Sequence, residues 1–154
     1  MPDSASLSVG CTCFALRKLT RTVTRLYDQH LAAASLKTTQ YSLLKSIAQG
    51  PLPVAELAAR LSTERTTLTR NLKPMIEAGW VELKPGEDSR QRIVTITAAG
   101  RDTVKAAKQA WRRAQSELER TLGREMVRGL HLHLDTALEQ LTPLLRENAH
   151  PHPD

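Results

Sequence analysis

Five residues within "STERTTLTRNLKPMIEAGW" have types and spacing that suit one kind of chemistry: Arg65, Thr66, Thr69, Arg70 and Lys73. At 3.6 residues per helical turn they share one face, and Leu68, Leu72, Met75 and Ile76 fall on the opposite one. A guanidinium can bond a guanine edge bidentately, a threonine can meet a thymine methyl, and all five can hold phosphates. Taken alone, the helix also fits a solvated face that happens to be basic. A second cluster follows in "LKPGEDSRQRIVTI", where Pro85, Gly86, Asp88, Arg90 and Arg92 stand between two alternating apolar runs. An arginine at a ribbon tip suits the concentrated negative potential of a minor groove. Asp88, two residues back, is expected to hold the Arg90 guanidinium by a charge-assisted bond. Arg92 sits where such a ribbon would meet the backbone.

These residues need elements to carry them. From Cys11 to about Ala33 no Pro or Gly appears, and Leu16, Leu19, Val23 and Leu26 recur at helical spacing, which predicts a long first helix. A second helix is expected from Thr38 or Thr39 as N-cap to the Gly50-Pro51 stop. Val54, Leu57, Ala58 and Leu61 form a short amphipathic helix, broken at Ser62-Thr63. The helix bearing the arginines then runs from about Glu64 to Ala78 and stops at Gly79. Pro74 lies inside it and removes a bond to the Arg70 carbonyl. Trp80–Lys84 and Arg92–Thr97 read as strands of a hairpin. After Gly100 two long helices follow, broken at Gly123 and ended by Pro143 and the "AHPHPD" tail.

Composition bounds the partners. The 154 residues carry a net charge of +6, so an acidic partner such as nucleic acid is the first candidate. Aromatics at 3% argue against a base-stacking platform for single strands. Residues 53–100 hold seven Lys/Arg against six Asp/Glu, about +1, so the excess lies elsewhere, in the first helix and residues 101–128. No Gly-rich phosphate loop, nucleophile elbow or metal quartet is present, and no enzyme activity or cofactor is expected. No apolar run is long enough to span a membrane. The opening residues lack the basic and apolar segments of a signal peptide, and the only cysteines, Cys11 and Cys13, diverge on a helix, so a reducing cytoplasm is expected. His131 and His133 also diverge, and His150 and His152 lie in the tail, so no metal site is expected.

"LAARLSTERTTLTRNLKPMIEAGWVELKPGEDSRQRIVTITAAG" resembles the signature of the multiple-antibiotic-resistance regulator (MarR) family, notably in its Asp-x-Arg wing and Thr-x-x-Gly helix entry. The resemblance runs from about Cys11 to Leu145, with Ser62 standing where glycine is frequent. It implies a mainly α fold with a small β-hairpin wing, a winged helix-turn-helix with long N- and C-terminal dimerisation helices. Residues 1–154 then form one domain, with dimerisation helices at about 11–33 and 101–147 and a DNA-binding lobe at about 35–100. The implied function is a homodimeric, sequence-specific transcription regulator that binds a pseudo-palindromic double-stranded operator as a repressor and is released by a small-molecule or oxidant signal. The family's DNA contacts carry over to Arg65, Thr66, Thr67, Thr69, Arg70, Asp88 and Arg90, beside which Lys73 and Arg92 extend the same surfaces. A helical protein-interaction dimer without DNA binding is the alternative from another class, and it leaves both clusters unexplained.

The signal has two candidate readers. "CFALRKLTRTVTRLY" resembles the first helix of the organic-hydroperoxide branch of the family, placing an oxidisable thiol at Cys13 and its supporting tyrosine at Tyr27. Fourteen helical residues span roughly 21 Å, so these two would meet only across a dimer. Arg17 and Thr38 stand where that branch has further tyrosines. The other reader is a pocket for a small aromatic or phenolic effector, lined by Arg17, His30, Tyr41 and Trp111.

Overall fold

A computed structural model describes residues 10–88 and 90–148, with 146–148 described by backbone alone. In chain order the elements are α1 (Thr12–Leu31), a 3-10 turn (Ala32–Ala34), α2 (Thr38–Ile47), β1 (Leu52–Pro53), α3 (Val54–Arg60), α4 (Arg65–Glu77), β2 (Val81–Pro85), β3 (Arg92–Ile96), α5 (Ala98–Leu122) and α6 (Arg124–Asn148). The architecture is a winged helix-turn-helix flanked by long helices. Its sheet has the order β1-β3-β2 and is antiparallel throughout. The two-residue β1 was not foreseen: it pairs Leu52 with Val94 and Pro53 with Ile93. A pair so short leaves no alternation for a sequence pattern to show.

Two compact units divide the chain, residues 1–114 and 115–154, with the boundary inside α5. The core of the first gathers Leu31 and Leu36 with Leu43, Leu44 and Ile47 of α2, Leu57 of α3, and Leu68, Leu72 and Met75 of α4. Val81, Val94 and Ile96 close it from the sheet. In the second unit, α6 continues through Pro143 to Asn148 rather than ending there. Proline removes one backbone bond, and Thr142 Oγ1 donates to the Leu138 carbonyl beside it (2.6 Å). Helix α4 likewise runs through Pro74.

The start of α2 departs from expectation. Its N-cap is Lys37, not Thr38 or Thr39, and lysine has no acceptor to offer the first-turn amides. Asp28 of α1 supplies one: its Oδ1 accepts from the Thr38 N–H (2.7 Å) and the Thr38 hydroxyl (2.6 Å). Gln40 Oε1 accepts from the Lys37 N–H (3.0 Å).

Between α4 and α5 the chain is tied in one knot. Gly79 has φ +73 and ends α4, with Gly79 N–H donating to Ile76 O and Trp80 N–H to Met75 O. This is a Schellman stop, which glycine permits without strain. Thr97 then joins both ends: its hydroxyl donates to the Gly79 carbonyl (2.6 Å), its N–H donates to the Trp80 carbonyl (3.0 Å), and its Oγ1 accepts from the Gly100 N–H (3.0 Å). The last of these is an N-cap of α5. Gly100 is required by close approach, because a Cβ there would lie 2.1 Å from the Trp80 carbonyl oxygen and 2.7 Å from Ile96 Cγ1. Gly100→Ala is therefore expected to destabilise by roughly 3 kcal/mol or more, since the nearest obstacle is backbone. Thr97→Val should cost about 1–2 kcal/mol through the lost cap and bond. Urea denaturation ranks the two, and a Gly100→Ala protein as stable as Thr97→Val would contradict the close approach.

Candidate nucleic-acid interface

Helix α4 enters through a tight turn in which Ser62 adopts a left-handed φ of 48. Ser62 N–H donates to Ala59 O and Thr63 N–H to Ala58 O, closing α3 and aiming α4 across it. With Leu68, Leu72 and Met75 buried, the opposite side is left to solvent. There Arg65, Thr66, Thr69, Arg70 and Lys73 line an open groove of about 740 Å³, with Glu77 at its end. Ile76 belongs to this groove too, 37% exposed, and not to the inward stripe. Leu68, Leu72 and Met75 already fill the core sector, and Ile76 falls at its edge. Thr67 lies on the other flank of the helix, half-buried.

The face can make specific and non-specific contacts together. Arg65, Arg70 and Lys73 make no ion pair among the described residues, so their donors are available to a ligand. Thr69 Oγ1 donates back to the Arg65 carbonyl (2.9 Å), which leaves its methyl and an oxygen lone pair outward. On the opposite flank, a smaller hollow of about 220 Å³ opens between Leu68 and Asn71 and the first turns of α2 at Thr38, Thr39 and Ser42. Nothing in the periodicity of the sequence signalled it, because its walls come from separate elements.

The wing pairs Val81 with Ile96 at its root and Pro85 with Arg92 at its end. Glu82 and Lys84, on one face of β2, form an ion pair (2.7 Å). At the tip, Gly86 N–H donates to Gln91 O and Gln91 N–H to Asp88 O. Asp88 Oδ1 accepts from the backbone N–H of Arg90 (2.9 Å). This differs from the expected pairing with the guanidinium: among the described residues the contact of Asp88 is with the backbone. An aspartate side chain reaches the amide two residues on more readily than the end of a long flexible arm. Asp88, Arg90 and Arg92 are all exposed.

The residues assigned to sensing separate into two places. Tyr41 and Trp111 stack with ring centroids 6.2 Å apart at 25°, and Tyr27 tilts against Trp111 at 6.5 Å. Lys45 Nζ stands 5.8 Å over the Trp111 ring. Burial pushes the Tyr41 phenol above its ordinary value, with Arg112 pulling in the other direction. His30 is half-buried, but Arg17 is exposed and ten residues from Tyr27 along α1, so it does not join this cluster. Tyr27 and Lys45 were not placed there by the sequence. Cys11 and Cys13 are free and exposed at the start of α1. Cys13 and Tyr27 are thus at opposite ends of one helix.

His131 and His133 are exposed on α6, and His133 Nδ1 lies 2.7 Å from the Gly129 carbonyl. His150 and His152 lie outside the described residues. Among the described residues no three His, Cys, Asp or Glu side chains are grouped to hold a metal, and no helix is long and apolar enough to cross a membrane.

Comparison with known proteins agrees with this geometry. Residues 34–92 match the model of the MarR family. An uncharacterised HTH-type transcriptional regulator of Bacillus subtilis (strain 168), YwoH, is 32% identical over 78 residues, half of this chain and 57% of that protein. The chain therefore matches little more than half the length of that curated relative. Among solved structures, the M. tuberculosis transcriptional regulator MosR in complex with DNA is 36% identical, covering 86% of this chain and 98% of that one, with a TM-score of 0.75. A mutant of E. coli MarR complexed with operator DNA is 26% identical, covering 80% and 91%, with a TM-score of 0.73. A matching helix-turn-helix and wing, and a fold shared over almost the whole of a 36% identical relative, lead to one conclusion: this chain belongs to the MarR family.

Proposed function

We propose that the protein is a dimeric, sequence-specific regulator of transcription that binds double-stranded DNA, represses from a pseudo-palindromic operator and is released by a signal in the cytoplasm. The observation that carries this reading is the α4 face: three cations without ion pairs among the described residues, set among threonines on a helix whose other side is locked in the core. In this reading α4 enters the major groove, with Arg65, Thr66, Thr67, Thr69, Arg70 and Lys73 against bases and phosphates. The wing brings Arg90 to the minor groove and Arg92 to the backbone.

Dimerisation is supported by apolar side chains left exposed within each unit. They are Phe14, Leu16 and Leu19 on α1, and Met126, Leu132, Leu138, Leu141, Leu144 and Leu145 on α6. Such density on two helices exceeds the scattered apolar residues of an ordinary surface. Two copies related by a two-fold would set their α4 helices into successive major grooves, about 34 Å apart.

The signal is proposed to act at the Tyr41–Trp111 cluster, where a small aromatic effector would compete with or extend the existing stack. A second reading, oxidation of Cys13, is favoured by one observation: the thiol is exposed.

Three outcomes test these assignments. Operator affinity measured by gel shift should fall steeply with salt, the logarithmic slope being about −0.9 per phosphate neutralised. A salt-independent or undetectable complex would favour the protein-interaction alternative. At the wing, Asp88→Asn keeps an acceptor for the Arg90 amide and should bind the operator nearly as wild type, whereas Asp88→Ala should bind more weakly. Tighter binding by Asp88→Ala would show that the carboxylate only repels phosphate. For the oxidant reading, organic hydroperoxide should release wild-type protein from DNA and leave Cys13→Ser bound. Equal release of both would remove Cys13 from the mechanism.

A further inference from the structure

Helix α1 is attached to its unit at one end. Residues 11–22 are exposed, and the buried side chains of the helix are Tyr27 and Leu31 near its C-terminus. Leu31 enters the core, and Tyr27 rests on Trp111. Burial of Leu31 holds α1 down without fixing its direction, because burial of apolar surface has no preferred direction. Asp28 stands in the same stretch and makes a different kind of contact. Its Oδ1 receives two hydrogen bonds from Thr38, one from the backbone and one from the hydroxyl. Hydrogen bonds weaken steeply off axis, so this pair fixes orientation as well as distance.

The sequence of α2 makes that contact necessary. The Lys37 side chain at the N-cap has no acceptor, and the first-turn amides of a helix have no partner within it. A carboxylate from α1 therefore serves as the cap of α2, and its charge also suits the positive end of the helix. The cap ties the direction of α1 to the orientation of α2, whose Leu43, Leu44 and Ile47 share a core with α4.

We propose that Asp28 is a positioning residue: it fixes the angle at which α1 leaves the DNA-binding lobe, and so the half-site spacing that the dimer reads. The inference rests on the reading above, in which α1 pairs between subunits and α4 reads DNA. From Asp28 to Cys13 the helix extends about 22 Å. A rotation of about 5° at the base carries the far end by ~2 Å, more than half of the ~3.4 Å rise of one base pair. Without Asp28 the junction of α1 with α2 loses its two-bond carboxylate cap, and the angle of α1 to the lobe spreads.

The test uses the full-length protein and an operator selected from random duplexes, with one base pair inserted or removed between half-sites. Wild type should lose roughly tenfold or more in affinity at a changed spacing, the order of a mismatched base pair. Asp28→Asn keeps the acceptor oxygen and should keep that preference. Asp28→Ala should flatten it, so that native and altered spacings differ by less than about threefold. Equal weakening of Asp28→Ala at every spacing, or an unchanged preference, overturns the proposal and leaves Asp28 a stabilising cap. Where Asp28→Ala fails to fold in urea denaturation, Thr38→Val decides. That variant removes the hydroxyl bond alone and should weaken the preference partially, whereas a wild-type preference overturns the proposal. A wild-type protein that selects no operator overturns the underlying reading instead, which separates the two failures.

Discussion

The packing of Gly100 against the Trp80 carbonyl is the constraint on which the DNA-facing half of the molecule depends. A Cβ at 2.1 Å from that oxygen is impossible, so the backbone of α5 can approach the end of α4 only at a glycine. Thr97 then distributes its bonds to Gly79, Trp80 and Gly100. The C-terminus of α4, the roots of both wing strands and the first turn of α5 are thereby held at one point. Helix and wing cannot shift independently near it. In the proposed function, two grooves are then engaged by one rigid tool rather than by two loosely joined parts.

That rigidity explains how a lobe of almost balanced charge can serve as a binding surface. Residues 53–100 carry a net charge of about +1. Attraction to a polyanion therefore comes from where the cations stand. Leu68, Leu72 and Met75 consume one side of α4, and the Schellman stop at Gly79 ends the helix before it bends away. Three of the six carboxylates are drawn off, Glu56 to Arg60 (2.6 Å), Glu82 to Lys84 and Asp88 to a backbone amide, and of the rest Glu77 stands at the end of the α4 groove. Arg65, Arg70 and Lys73 remain outside such pairs among the described residues. Placement does what composition does not.

Much of this was legible in the sequence, and the gaps share a cause. The α3–α4 pair, the hairpin and the glycine stop have local signals: apolar periodicity, alternation and turn residues within a few positions. The face of α4 followed from the same periodicity, apart from Ile76 at the sector boundary. What escaped were contacts between residues far apart in the chain or set by a short geometric preference. The cap of α2 comes from ten residues upstream, so Thr38 or Thr39 looked like the better cap. The partner of Asp88 is an amide, a choice governed by reach rather than charge. Strand β1 exists because β3 offers it an edge, and a two-residue strand carries no pattern of its own.

The long-range contacts that the sequence hid are also those that connect the parts of the proposed mechanism. Helix α2 receives Asp28 from α1 at its first turn, stacks Tyr41 on Trp111 of α5 in the next, and places Leu43, Leu44 and Ile47 in the core that seats α4. Of these contacts, the cap alone is strongly directional, and the stack alone is built of flat surfaces that a ring-shaped ligand can part. A change at the stack alters α2 where it meets α5, while the cap holds α2 to α1. An effector inserted there must therefore either tilt α2 about its capped end or strain the cap itself. Both displace the core face of α2 against Leu68 and Leu72, and with it the outward face of α4. Control of DNA binding thus needs no direct path from ligand to base. In the proposed function it runs through α2, which touches α1, α5 and the core of α4 along its length.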